Sequence, residues 1–286
     1  MPTLPQLATS TFVHCLEVLP PRQPDHSRIV ERLQALPPTR IHFLNIADSP
    51  MARPRLSPTV LASILRAKIG LDTIVHLTVR DRNRIALESD ILGAKALGIH
   101  HHLAVSGDPV RFSDRVSAKS VNDMSVPDLI RLCVDMGQVV GAVFDPSSDA
   151  RATELRKLER KIAAGAGFVI TQPIFSADIM ADIRTLIAPY SVPVIVGILP
   201  LYSAAHAQYL HDNVPGIRIP QSILHRMVEA TNPVREGISI ARTLLAEARQ
   251  AHLHGACIMP PFGHYELAAP ILAQSEPPPN SEKSAI

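Results

Sequence analysis

Eight short apolar runs recur along this chain, at residues 12–16, 41–44, 74–77, 103–105, 139–144, 168–170, 192–198 and 256–259. Most are followed by a segment whose apolar residues keep helical spacing. Strands of a parallel sheet covered on both faces read as Val/Ile/Leu runs of this kind. Eight such units in succession predict a (β/α)8 barrel, an α/β fold whose chemistry sits at the C-terminal ends of the strands. At or just past those ends stand Glu17, Asn45, Thr78, Asp108, Asp145 and Gln172. One pattern therefore predicts both a fold and a set of candidate site residues.

The spacing predicts helices over 27–36, 57–69, 82–97, 126–136, 150–164, 177–187, 204–211, 221–231 and 234–251. Ser57 and Ser176 are placed to cap two of them, and Gly165 to stop another. The seventh connection is expected to hold two helices, with 214–220 between them. A chain of 286 residues suits one barrel of roughly 250 residues. No Gly/Ser-rich linker or charge run divides it. The barrel is expected over residues 1–270. Residues 271–286 read as a disordered tail, because their Pro, Ser, Glu and Lys leave almost nothing to bury.

A net charge of +2 gives no electrostatic reason to expect a nucleic-acid or membrane partner. No apolar stretch reaches the ~18 residues of a spanning helix. The first residues lack a basic-then-apolar leader pattern. A soluble, cytoplasmic protein is the expectation. Cys15 and Cys257 lie on the first and last predicted strands, neighbours in a closed barrel. A disulfide there is conceivable, and free thiols in a reducing compartment are favoured.

Each candidate has a plain structural reading beside its chemical one. Glu17 emerges where a strand meets a Pro-Pro turn, and is either a carboxylate paired with an arginine such as Arg22 or a half-buried proton donor. His76 shares a strand face with Thr78 and is either a hydrogen-bonded core residue or a ligand contact. Arg80, Asp81 and Arg82 read as a surface salt-bridge set. Ser106-Gly107-Asp108-Pro109 is an ordinary turn, or a place where a flat ligand nears bare backbone beside a negative charge. Gln172 caps a strand end or offers a donor–acceptor pair to a heterocycle. Residues 197–201, with Leu199, offer an apolar wall. No phosphate loop, no nucleophile elbow and no converging metal-ligand set is present in the sequence, and no metal is expected.

Taken together, seven segments in order resemble the methylenetetrahydrofolate reductase family. They are Glu-Val-Leu-Pro-Pro-Arg at 17–22, His-Leu-Thr-Val-Arg-Asp-Arg-Asn at 76–83, Ser-Gly-Asp-Pro at 106–109, Lys-Ile-Ala-Ala-Gly at 161–165, Ile-Thr-Gln-Pro at 170–173, Gly-Ile-Leu-Pro-Leu at 197–201 and Val-Pro-Gly-Ile at 214–217. The likeness runs from about residue 10 to residue 268 and is nearest to the reductase half of bacterial proteins that also carry a homocysteine methyltransferase domain. It implies an oxidoreductase of one-carbon metabolism and methionine biosynthesis. Such an enzyme binds FAD, takes electrons from NAD(P)H, and reduces 5,10-methylenetetrahydrofolate to 5-methyltetrahydrofolate. The same site could run in reverse, oxidising 5-methyltetrahydrofolate, or serve a folate- or flavin-binding subunit that depends on a partner for electrons. A homo-oligomer or a partner subunit accompanies these readings.

By motif position the resemblance makes Glu17 the general acid and Asp108 the carboxylate near the flavin and the folate. It assigns the cofactor to Asn45, His76, Thr78, Ser106, Gly107, Asp108, Phe144, Glu154 and Lys161. It assigns the folate to Gln172, Leu199 and Tyr202. Three departures stand out. Val79 holds a position where many relatives have Cys. Asn45-Ile-Ala-Asp48 replaces the Thr-Tyr-Gly of the best-known branch. Ala204 falls near a place where some relatives carry a substrate-stacking Phe, leaving Tyr202 as the nearby aromatic.

Overall fold

The computed structural model describes residues 2–36, 41–115, 117–214 and 216–273. Its eight strands are β1 Val13–Val18, β2 Phe43–Ile46, β3 Asp72–Thr78, β4 His101–Val105, β5 Val139–Phe144, β6 Phe168–Pro173, β7 Val194–Ile198 and β8 Gly255–Ile258. Each pairs in parallel with the next, and β8 closes on β1 through Cys15 opposite Cys257. The chain is a (β/α)8 barrel. The helices are α1 Leu4–Leu7, α2 Ser27–Gln34, α3 Pro58–Ile69, α4 Arg84–Ala96, α5 Val126–Asp135, α6 Arg151–Ala163, α7 Ala177–Ile187, α8 Ala204–Asn213, α9 Gln221–Glu229, α10 Pro233–Gln250 and α11 Ala268–Leu272. The tail expected at 271–286 is corrected at its start, where Ile271 and Leu272 are buried apolar residues that complete α11, and residues 274–286 lie outside the described residues.

The period of two along each strand sorts the side chains. One set, Val13, Cys15, Phe43, Ile74, Leu103, Phe168, Ile170, Ile195 and Cys257, fills the barrel. The alternate set, including Leu16, Leu44, Val75, Phe144, Val169 and Val196, packs outward against the helices. The lower end is closed by α1, which the sequence pattern did not reveal. Leu4 is fully buried, and its N–H donates to Nε2 of His101 at 3.1 Å. Cys15, Cys133 and Cys257 are buried free thiols.

Several expected boundaries move. β1 runs two residues beyond the apolar stretch, because Glu17 and Val18 still pair with Asn45 and Ile46. Between β7 and β8 stand α8, α9 and the long α10, matching the three helical spacings at 204–211, 221–231 and 234–251; the seventh connection thus holds one helix more than the pair around 214–220. Ser176 caps α7 through a bond from the Ile179 N–H, whereas the Ser57 side chain makes no such bond for α3. Gly165 follows α6 with φ +106°.

α10 lies so close to the β7 loop that a Cβ at Gly237 would meet the Leu201 carbonyl oxygen at 1.7 Å. The clash is with backbone, so no rotamer relieves it. Gly237→Ala is expected to cost at least the ~3 kcal/mol at the upper end of overpacking, lowering Tm by roughly 6–12 °C. Gly93 of α4 has open space where its Cβ would stand. Gly93→Ala is therefore expected to stabilise by roughly 0.5–1 kcal/mol. Thermal unfolding of both variants checks the pair, and equal shifts would refute the packing argument.

Candidate active site

At the upper end of β1, Glu17 points into the barrel mouth and is only partly exposed. Arg22, the pairing partner considered for it, binds Asp114 instead. Among the described residues Glu17 has no ion-pair or hydrogen-bond partner. Burial alone pushes its pKa from 4.5 to about 7.

Below and beside it lies a small polar layer. Asn45, 1% exposed, accepts a hydrogen bond on Oδ1 from Nε2 of His76 at 2.9 Å. Asn45 Nδ2 donates to the Cys257 sulfur at 3.7 Å. An amide oxygen only accepts, so His76 carries its proton on Nε2. Burial holds the His76 pKa down at about 4. His76 is thus a neutral donor to the strand beside Glu17, and Nδ1 is its remaining acceptor.

The rim over β3 and β4 is tied together by buried charge. Arg80 is 4% exposed. It donates to Asp81, to the Asp108 carbonyl at 3.0 Å and to the Ser49 carbonyl at 3.2 Å. The surface salt-bridge reading of Arg80 is therefore corrected: its guanidinium joins three loops. Asp48 accepts from the Thr78 N–H at 3.1 Å and from Arg82 at 2.6 Å. Thr78 is fully buried, donating through its hydroxyl to the Ser106 carbonyl at 3.2 Å. Gly107 has φ +75°, and a Cβ there would lie 2.3 Å from Thr78 Oγ1. Its bareness serves the fit of this loop against Thr78 and Arg80. The carboxylate of Asp108 accepts the Met51 N–H at 2.5 Å, drawing the loop after β2 toward it. Ser106 stays exposed beside it.

β5 and β6 supply the opposite side. Lys161 of α6 donates to the Val143 carbonyl at 2.7 Å, and burial lowers its pKa. Glu154 pairs with Lys157 at 2.7 Å. Asp145, one residue beyond β5, has a raised pKa, first through burial and then through Glu154. Its carboxylate and the Gln172 side chain both flank Gly216, so the loop at 216–217 rests on them. The β6–β7 register shifts between Ile170 and Pro173, and Gln172 falls within that shift. Its amide makes no hydrogen bond among the described residues. It is free to take a ligand. Asp145 was absent from the set drawn by resemblance, although its place at a strand end was visible.

Phe144 is the misplaced member of that set. Its side chain is 1% exposed and lies in the layer between sheet and helices, not in the mouth. The alternation along β5 turns Val143 inward and Phe144 outward.

Leu199 and Tyr202 follow β7, both partly exposed. Tyr202 stacks on His264 with ring centroids 4.6 Å apart and meets the edge of Phe262 at 6.1 Å. Phe262 is 69% exposed and held at φ +55°. This aromatic was missed in the sequence. It comes from the loop after β8 and lies against the His206 ring of α8 with centroids 5.1 Å apart. Its only signal was the Pro260-Pro261-Phe262-Gly263 turn directly after the last strand.

Among the described residues no group of three or more His, Cys, Asp or Glu is placed to hold a metal ion. No helix among them is long and apolar enough to cross a membrane.

The sequence profile described as methylenetetrahydrofolate reductase matches residues 4–254. Methylenetetrahydrofolate reductase 2 of Schizosaccharomyces pombe is 25% identical over 201 residues, which cover 62% of this chain and 30% of that protein. The chain thus spans about a third of the length of such fungal relatives. The 5,10-methylenetetrahydrofolate reductase of Pectobacterium carotovorum is 25% identical over 215 residues, covering 71% of this chain and 69% of that protein. Among solved structures, an uncharacterized Clostridium thermocellum protein that binds two copies of 5-methyl-5,6,7,8-tetrahydrofolic acid superposes with a TM-score of 0.66 at 16% identity, over 94% of this chain and 96% of its own. A 2,3-dimethylmalate lyase superposes at 0.52 and 13% identity, over 93% of this chain and 84% of its own. At these identities the two superpositions show the fold.

Proposed function

The chain belongs to the methylenetetrahydrofolate reductase family, and from that premise we propose that it reduces 5,10-methylenetetrahydrofolate to 5-methyltetrahydrofolate, with NAD(P)H as electron source and FAD as bound cofactor. The observation that carries this reading is Glu17: an unpaired carboxyl at the barrel mouth whose pKa of about 7 leaves it protonated in a large fraction of molecules at neutral pH. A general acid works best when its pKa lies near the working pH. That a protein of the same fold binds a methylated tetrahydrofolate adds support.

The donor set suits a flavin. Asp108 supplies acceptors, Ser106 an exposed hydroxyl, and His76 a neutral ring in the mouth. Lys161, whose ammonium donates to the Val143 carbonyl near the top of β5, would meet a ribose or phosphate with its remaining N–H groups. Thr78 acts indirectly, by shaping the Ser106–Asp108 loop. When bound, FAD supplies hydride transfer between nicotinamide and the one-carbon unit, while the protein contributes position and electrostatics.

The chain's own residues then divide the work. The methylene bridge joins two folate nitrogens, and opening the five-membered ring leaves one of them needing a proton. Glu17 donates it. The cation that remains on the one-carbon unit is favoured by the negative charge of Asp108. Gln172 pairs its amide with the donor–acceptor edge of the pterin. Leu199, Tyr202 and Phe262 wall the site against water.

The test is spectroscopic. Protein reconstituted with FAD should show a flavin band that bleaches on anaerobic addition of NADH or NADPH and returns on addition of methylenetetrahydrofolate. Failure to retain FAD, or a reduced flavin that folate cannot reoxidise, overturns the reading.

A further inference from the structure

Arg80 stands two residues past β3, and every acceptor its side chain reaches belongs to the protein. Only 4% of it is exposed. Nε and Nη2 donate to the two carboxylate oxygens of Asp81 at 2.7 and 2.6 Å. The same Nη2 donates to the Ser49 carbonyl at 3.2 Å, and Nη1 to the Asp108 carbonyl at 3.0 Å. Its main-chain N–H donates to Thr78 Oγ1 at 3.1 Å, and its carbonyl accepts the Val121 N–H at 2.8 Å. The guanidinium fork is spent on the loops after β2, β3 and β4. Such a pair is weak evidence for stability, because well-packed apolar residues often hold a fold as well. What a planar fork supplies is direction, since it binds at several points where an ammonium binds as a point charge.

The turn that Arg80 anchors is strained. Ser49, Met51 and Ala52 have φ of +43°, +56° and +54°, a region that residues bearing a Cβ rarely adopt. A backbone of this kind persists where its surroundings over-determine it. Two ties do so here. Arg80 holds the Ser49 carbonyl, and the Met51 N–H donates to Asp108 Oδ2 at 2.5 Å. Asp108 is therefore gripped twice, at its carbonyl by Arg80 and at one carboxylate oxygen by Met51. The residue before it is pressed as well: a Cβ at Gly107 would lie 3.0 Å from Arg80 Nη1. Among the described residues the other carboxylate oxygen, Oδ1, accepts no hydrogen bond.

We propose that Arg80 is a positioning residue of the reaction. With the turn at 49–52 it fixes the direction in which Asp108 offers its free oxygen to the one-carbon unit of the folate. This rests on the folate reading above and goes beyond it by naming what aims the carboxylate.

The test combines stopped-flow of both half-reactions in FAD-reconstituted protein with amide exchange of Met51 in protein without FAD. Arg80→Gln should slow the folate half-reaction by roughly 10–100-fold, the loss expected when a reacting group shifts by about 1 Å. Nicotinamide-driven flavin reduction should change far less. Arg80→Gln combined with Asp108→Asn should be no slower than Asp108→Asn alone, because a residue acting through Asp108 then has nothing left to act on. Arg80→Lys keeps the charge and loses the fork, so it should fall with Arg80→Gln. In both Arg80 variants the Met51 amide should exchange faster than in the wild type. Should Arg80→Gln not fold, Met51→Pro cuts the same tie from a loop outside the buried core. Proline has no N–H and cannot take a positive φ, and the same non-additivity with Asp108→Asn is expected. Losses that add, a wild-type rate in Arg80→Lys, equal losses in both half-reactions, or unchanged Met51 exchange each overturn the positioning role alone. A wild-type flavin that folate does not reoxidise overturns the folate reading and this proposal with it, a result seen before any variant is compared.

Discussion

Glu17→Gln is expected to leave FAD binding and flavin reduction by nicotinamide nearly unchanged while the folate half-reaction falls by ~10²–10⁴-fold, the usual contribution of a general acid. The two half-reactions differ in their need for a proton. Reduction of the flavin requires alignment with the nicotinamide and asks nothing of Glu17. Opening the methylene bridge requires an acid at the departing nitrogen. Glutamine keeps the size of the side chain and much of its hydrogen bonding, and removes the proton that is transferred. The pH profile supplies a second readout. With a pKa of about 7, the protonated fraction of Glu17 declines as pH rises through neutrality, so the wild-type folate half-reaction should lose rate above that pH. The residual rate of the variant should lack this limb. Stopped-flow traces of each half-reaction between pH 6 and pH 9 decide it. Reoxidation by methylenetetrahydrofolate at near wild-type rate would show that Glu17 is not the acid.

The alternation of strands and helices was legible because burial on both sheet faces forces apolar runs, and nothing else in the chain mimics eight of them. Helix α1 was not legible. Four residues carry no period, and what fixes them is a bond to His101, 97 positions away. Arg80 misled for a related reason. An Arg-Asp-Arg triplet reads as solvated charge, and only the fold brings the Ser49 and Asp108 carbonyls to its guanidinium. Glu17 was legible as a position, since a carboxyl closing an apolar strand is anomalous. That it lacks a partner was not, because Arg22 stands five residues away and the chain turns it to Asp114. Phe144 shows the reverse case. Its outward direction followed from the period of two along β5, and a motif position prevailed over that simple geometry. Phe262 escaped notice because its exposure depends on a left-handed backbone and on two loops meeting, neither of which a local pattern encodes.

Stability should collapse on mild acidification, with three histidines as the cause, His101 and His102 buried and His76 partly buried below the mouth. His76, His101 and His102 have their pKa values pushed from 6.5 to about 4, in each case chiefly by burial. None has a carboxylate bonded to it. His76 faces the Asn45 amide. Nε2 of His101 accepts the Leu4 N–H, so charging it also breaks the tie that holds α1 in the barrel floor. His102 is fully buried. For a base whose folded pKa is depressed, stability is fully present above the unfolded value and is lost as pH falls toward the folded one. The window is therefore from pH 6.5 down to about 4, and each histidine accounts for roughly 3 kcal/mol across it. Together they rival the ~5–15 kcal/mol that holds a typical domain together. Glu17 acts in the opposite sense. Its folded pKa is raised, so its contribution is present below 4.5 and lost as pH rises through about 7. One carboxyl does not offset three imidazoles, and maximal stability should fall near neutrality. Urea unfolding at pH steps from 8 to 4.5 should show the free energy falling by up to roughly 4 kcal/mol per pH unit near pH 5. Glu17→Gln should match the wild type near pH 4.5 and exceed it at pH 8 by roughly 3 kcal/mol, because the variant no longer carries a buried charge there. A flat profile between pH 7 and pH 5 would mean that these histidines are already solvated or charged in the folded protein.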